Sequence, residues 1–232
     1  MIDNYTTEEK LDFIFSLEEN NNLCTDDWNK IKILSEDNDS EVRYRVAELL
    51  ALFPSEKSEE WLISMLNDDN HMVRAAACDS LSFSTSPNTS KLLWRLAKDS
   101  RYLVRGYAIL SIGDIQKNID SNSDEVIELL KRLDSKESCE WVKIAISRSL
   151  YILGEYSYGT FLLEKLNSRN YKCRSFVLNL LEPLIDSNIT NNIPNMLQIL
   201  KQRLTVESAF SVKLKLQSLM SKISNTDVNV SY

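Results

Sequence analysis

The sequence is short of the residues from which turns and active sites are commonly built. Its 232 residues include 4 glycines, 4 prolines and 1 histidine. Glycine and proline punctuate turns, so their scarcity argues against a fold made of many hairpins and in favour of long regular segments. No glycine-rich phosphate loop and no Ser-His-Asp set can be assembled. The single histidine, His71, stands beside an expected helix start, where it caps or faces solvent. Cys24, Cys78, Cys139 and Cys173 form no CxxC pair and meet no histidine cluster. No metal site is therefore expected, and no cofactor. The cysteines read as reduced thiols of a cytoplasmic protein. No apolar run approaches the roughly 20 residues of a membrane span. The acidic start Met1-Ile2-Asp3-Asn4-Tyr5-Thr6-Thr7-Glu8-Glu9 does not read as a signal peptide.

An excess of positive charge is also missing. There are 27 basic and 34 acidic side chains, a formal net charge of −7. A protein that grips phosphates needs converging lysines and arginines, so nucleic acid is not an expected partner. The charge is uneven. Residues 1–60 carry 16 acidic and 6 basic side chains, and the remainder carries 18 and 21. Such an acidic stretch is a solvated face or a surface that attracts a basic partner.

What the sequence does have is a sentence written repeatedly. Val42-Arg43, Val73-Arg74 and Val104-Arg105 lie 31 residues apart. Val142-Lys143 follows after 38 residues, Cys173-Arg174 after 31 and Val212-Lys213 after 39. The two long intervals coincide with the polar stretches Lys117–Asp124 and Ser187–Asn195, which read as lengthened loops. With the first residue of each pair set to zero, positions 0, 4, 8 and 11 are apolar in all six copies except Ser84. Examples are Val42, Val46, Leu50 and Phe53, or Val104, Ala108, Ile112 and Ile115. This is one face of a helix of period 3.6, and a repeat of this length marks a stacked-repeat architecture.

A helix ending in leucine, a short Asp-bearing turn, then Val-Arg, a small residue and leucine on a second helix: this pattern resembles the HEAT repeat family. The resemblance covers roughly Thr25 to Ile223 and is most specific in the first four copies. Copy five has Asn167 where an Asp is expected, and copy six has only Glu207 in its turn. The resemblance implies an all-α, right-handed solenoid of about six repeats with an N-terminal capping helix. The expected repeats are 25–54, 58–85, 88–116, 123–155, 157–186 and 192–224, in one domain spanning 1–224. Residues 1–22 are the cap and 225–232 a flexible tail. Thr7-Glu8-Glu9 opens the cap, with the Thr as its N-cap. Gly154 reads as a helix stop. Pro183 should bend or end the helix it occupies. In this family the turn Asp and the arginine form a ladder between repeats, so Arg43, Arg74, Arg105 and Arg174 are given structural roles.

The second helices of such stacks line the concave side. At 100° per residue, positions −1, 2, 6 and 9 point away from the core. In repeats three and four those positions hold Leu103, Leu110, Trp141, Ile144 and Tyr151, apolar where solvent is expected, together with Arg148. Tyr44, Glu48 and Asp79 lie beside them in repeats one and two. An exposed apolar patch with aromatic anchors is the usual mark of a binding surface. The expected function is thus a non-catalytic scaffold that binds another protein, with basic surface, on its concave face. An immunity protein or an adaptor would fit. Two enzymatic roles known among HEAT-like proteins are weaker expectations. A glycosylase for alkylated DNA bases could use Trp141, Tyr151, Asp114 and Arg148, but the chain is acidic. A phycobilin-lyase-like role finds no tetrapyrrole-handling motif.

Overall fold

The structure, a computed structural model, describes residues 2–119, 122–186, 193 and 195–229. All its regular structure is helical among those residues, and they divide into two compact units, Met1–Ser123 and Asp124–Tyr232. The division falls at the end of the first polar stretch between repeats. The first unit contains α1 (Thr7–Glu18), α2 (Thr25–Leu34), α3 (Ser40–Leu52), α4 (Glu56–Met65), α5 (His71–Ser80), α6 (Pro87–Leu96) and α7 (Tyr102–Ile119). The second contains α8 (Asp124–Asp134), α9 (Glu140–Ile152), α10 (Ser157–Glu164), α11 (Tyr171–Asp186), α12 (Met196–Val206) and α13 (Phe210–Asn229).

The helices begin where side chains can satisfy their first backbone N–H groups. The Asp39 and Asn70 side chains accept from the amides of Glu41 and Met72, and Ser55 and Ser86 cap α4 and α6. Thr6, not Thr7, caps α1, in a capping box with Glu9. The Thr7 hydroxyl instead donates to Asp39 at 3.0 Å. Gly154 adopts φ 103°. Its amide donates to the Tyr151 carbonyl and that of Glu155 to the Leu150 carbonyl, the paired bonds of a left-handed helix stop. Two boundaries differ from the sequence expectation: α7 runs to Ile119 and α13 continues to Asn229. α11 ends at Asp186, at the expected bound, and Pro183 does not end it. A proline this close to a helix end removes a single bond, and no glycine or proline follows Phe210 to stop α13. Most of the Ser187–Asn195 stretch, and residues 230–232, lie outside the described residues.

The second helices of the pairs pack in series: α1, α3, α5 and α7 in the first unit, α9, α11 and α13 in the second. Positions 0, 4 and 8 are buried in every copy except Met220, which is half-buried. Ser84, the one polar residue at position 11, is buried because its hydroxyl donates to Glu59 at 2.6 Å. That satisfied donor removes the cost of burying it.

A second register lies five residues before each pair: Asp37, Asp68, Asp99, Glu137, Ser168 and Glu207. In all six copies the side-chain oxygen there accepts the amide two residues on, at 2.8–3.2 Å. Arg43 then closes a rung on Asp68, with Nε to Oδ2 at 2.7 Å and Nη2 to Oδ1 at 2.8 Å. Arg74 does the same on Asp99, at 3.0 and 3.2 Å. Lys10 of α1 reaches Asp37 at 2.7 Å. In the second unit Arg174 grips Glu207 at 2.7 and 2.6 Å. The remaining guanidinium nitrogen, Nη1, donates to two carbonyls of the arginine's own turn for Arg43, Arg74, Arg105 and Arg174. Each arginine on a rung therefore fixes its own turn and the next repeat's turn together.

Candidate functional site

Of the nine residues expected on the inner face, four come together. Tyr44 and Glu48 on α3, Asp79 on α5 and Leu103 on α7 line one pocket of about 200 Å³ in the first unit, with Met72, Ala75, Ala76, Ser80 and Tyr107. The pocket exists because α5 presents small side chains, Ala75, Ala76 and Ser80, where its neighbours carry Tyr44 and Tyr107. α5 is held against α7 by the buried Ser111 hydroxyl, which donates to the Cys78 carbonyl at 2.7 Å. The Tyr44 hydroxyl donates to Glu48 Oε1 at 2.6 Å, and Arg45 donates to Glu48 Oε2 at 2.9 Å and to Glu41 at 3.0 Å. The Arg45 guanidinium lies 5.3 Å from the Tyr44 ring centre and 5.5 Å from that of Phe15. Met72 is 39% exposed at the rim.

Burial raises the Tyr44 phenol well above its usual range, and the hydrogen bond to Glu48 adds to the effect. Burial pushes Tyr107 up to about 12, helped by the negative charges of Asp79 and Glu48. Both phenols stay protonated at neutral pH, so the site's negative charge belongs to the two carboxylates. Tyr107 was missed in the sequence because it occupies position 3, outside both the core set and the opposite face. A large aromatic at a position that α5 fills with Ala76 was the available signal.

The other five residues do not form the expected exposed patch, and this is a correction. Leu110 is buried, and Ile144 and Tyr151 are fully buried. In α7 every residue from Ala108 to Gly113 is buried, and in α9 Ile144–Ser147 and Ser149–Tyr151 are. A helix apolar on nearly all sides packs on nearly all sides, so the opposite-face rule fails for both. Tyr151 packs edge-on against Tyr156, ring centres 5.7 Å apart, and over Gly159. A Cβ at Gly159 would lie 2.7 Å from the Tyr151 ring. Trp141 is half-buried and stacks on Phe176 of α11 with ring centres 4.0 Å apart. Arg148 is half-buried on α9. The burial of Tyr151 also removes it from the base-stacking role imagined for a glycosylase. Among the described residues no cluster of histidine, cysteine and carboxylates could hold a metal, and no helix is long and apolar enough to cross a membrane.

Paired helices, second helices stacked in series, a side-chain oxygen closing each turn and arginine rungs from Arg43, Arg74 and Arg174 define a helical-repeat protein. Residues 30–113, from α2 into α7, match the family described as HEAT repeats. A chain in the solved complex of CpcE and CpcF of phycocyanin lyase from Nostoc sp. PCC7120 matches at TM-score 0.58 and 19% identity. The match covers 94% of this chain and 91% of that one, and it shows a shared fold. A crystal structure of an engineered protein matches at TM-score 0.41 and 18% identity, over 84% of this chain and 96% of that one. No curated protein matches.

The first of these matches corrects the expectation that the protein is not an enzyme. A chain of this fold belongs to the complex of a lyase. Scarcity of histidine and of phosphate loops therefore does not exclude enzyme-associated work for this architecture.

Proposed function

We propose that the chain binds another protein through the face formed by α3, α5 and α7 of the first unit, as an adaptor or as an immunity protein that sequesters its partner. The observation that carries this reading is the pocket itself. It sets two carboxylates, Glu48 and Asp79, beside Met72, Leu103 and two tyrosines. Apolar and aromatic contacts ringed by charge are the composition of an interface centre and its rim. The first unit supplies a matching field, since residues 1–123 carry 22 acidic and 13 basic side chains, net −9. The partner surface it attracts is basic. The CpcE–CpcF structure, a complex of two proteins, supports protein docking as a use of the fold.

The test immobilises the chain and its Asp79→Lys variant side by side. A protein retained by the first is purified and titrated calorimetrically against both. Reversing a charge inside the pocket should weaken binding at least about tenfold, equivalent to 1.4 kcal/mol. Equal affinities would remove this face from the interface.

A further inference from the structure

We propose that the pocket of the first unit is an arginine socket: it receives one guanidinium side chain from a basic segment of the partner, with Tyr44 and Tyr107 as its aromatic walls and Glu48 and Asp79 as its counter-charges. The inference rests on the reading of this face as a protein-binding surface and goes further by naming what enters it.

Size is the first argument. About 200 Å³ is less than the roughly 300 Å³ at which pockets for small molecules and cofactors begin. A space of this size takes one side chain. Chemistry is the second. An aromatic and acidic site favours a cation, and a planar one can stack on a ring while bonding a carboxylate through its edge. Lysine has a compact, strongly hydrated head that does neither as well. The third argument is an internal precedent. Arg45 approaches Tyr44 and Glu48, with its guanidinium over the ring and its Nη1 on the carboxylate. A carboxylate offers about four acceptor sites, so Glu48, which accepts from Tyr44 and Arg45, still has capacity for an incoming N–H. The neutral phenols add polarity without competing charge.

The experiment uses the full chain with labelled methyl groups and titrates N-acetyl-arginine amide while following Met72, Ala75 and Ala76 by NMR. These three signals should shift together and saturate, with a Kd on the order of millimolar. N-acetyl-lysine amide should bind at least about fivefold more weakly, since it lacks the planar fork. The neutral N-acetyl-norleucine amide should give no saturable shift. Asp79→Asn, at an exposed position, should weaken arginine binding at least about fivefold by removing a charge-assisted contact. Ala75→Leu should abolish it by filling the space. Circular dichroism of both variants checks the fold, and Asp79→Asn remains decisive if Ala75→Leu unfolds. Absence of saturable shifts, equal binding of the lysine or norleucine probe, or full binding by Asp79→Asn would overturn the socket. Loss of the socket with a partner still sensitive to Asp79→Lys would leave the interface standing. A working socket with no such partner would leave the converse.

Discussion

The two units solve one problem with different chemistry. In the first, the pairs Lys10–Asp37, Arg43–Asp68 and Arg74–Asp99 recur, and each member retains some solvent exposure. In the second, Arg174 and Arg203 converge on Glu207, whose side chain is fully buried. The longer glutamate reaches inward, two guanidinium groups compensate its charge, and the amides of Ser208 and Ala209 supply two more donors. The units also differ in charge, net −9 against 12 acidic and 14 basic side chains in residues 124–232. A shared register therefore fixes where a rung stands but not how much it matters. Depth decides that, because breaking a desolvated ion pair strands its partner.

The largest effect should come from Glu207→Ala. It leaves Arg174 buried without its carboxylate, which costs about 3–5 kcal/mol. Urea denaturation followed by hydrogen exchange should place the loss in the second unit, and a loss below about 1 kcal/mol would mean the buried rung is no stronger than a surface pair. Acid should expose the same asymmetry. Hydrogen bonds from Arg174, opposed by burial, lower the Glu207 carboxyl from its usual 4.5 to about 2. A depressed carboxylate stabilises the fold above its unfolded pKa and loses that contribution as pH falls through the folded one. The Glu207 contribution should thus decline from about pH 4.5 and be gone only below about pH 2. An acid profile unchanged by Glu207→Gln would contradict this.

Asp99→Asn, at an equivalent but shallower rung, should cost about 1.5 kcal/mol, the value of one hydrogen bond to a charged group. A cost equal to that of Glu207→Ala would erase the distinction between the units. The smallest effect belongs to Glu128→Gln. It removes an i,i+4 pair with Arg132 in which both side chains are about two-thirds exposed, and the change should stay within about 0.5 kcal/mol.

The sequence made the repeat legible because burial acts on period. Val42, Val73 and Val104 must each enter the core, so their spacing shows directly. The rung residues were legible where aspartate was used and hidden where it was not. Glu207 looked like a departure from the motif, yet counting back five from Val212 puts it in register. The inner face was half legible. Tyr44, Glu48, Asp79 and Leu103 meet because α3 and α5 keep one polar side. Leu110, Ile144 and Tyr151 were misread because a single helix wheel counts one packed face, whereas α7 and α9 are covered on several. Which side of an apolar helix stays wet depends on its neighbours, and no local pattern records them.

The double grip of each arginine makes the first unit editable. Val73 and Val104 are 31 residues apart, and so are Asp68 and Asp99. Excising residues 69–99 would carry Val104 into the place of Val73 and leave Asp68 five residues before it. Arg43 would still meet Asp68, and Arg105 would still clasp the carbonyls of the turn now rebuilt from both sides of the cut. The spacing of the rung thus survives the removal of a whole repeat, although Met72, Ala75, Ala76, Asp79 and Ser80 of the pocket go with it; the register leaves length free where the pocket does not.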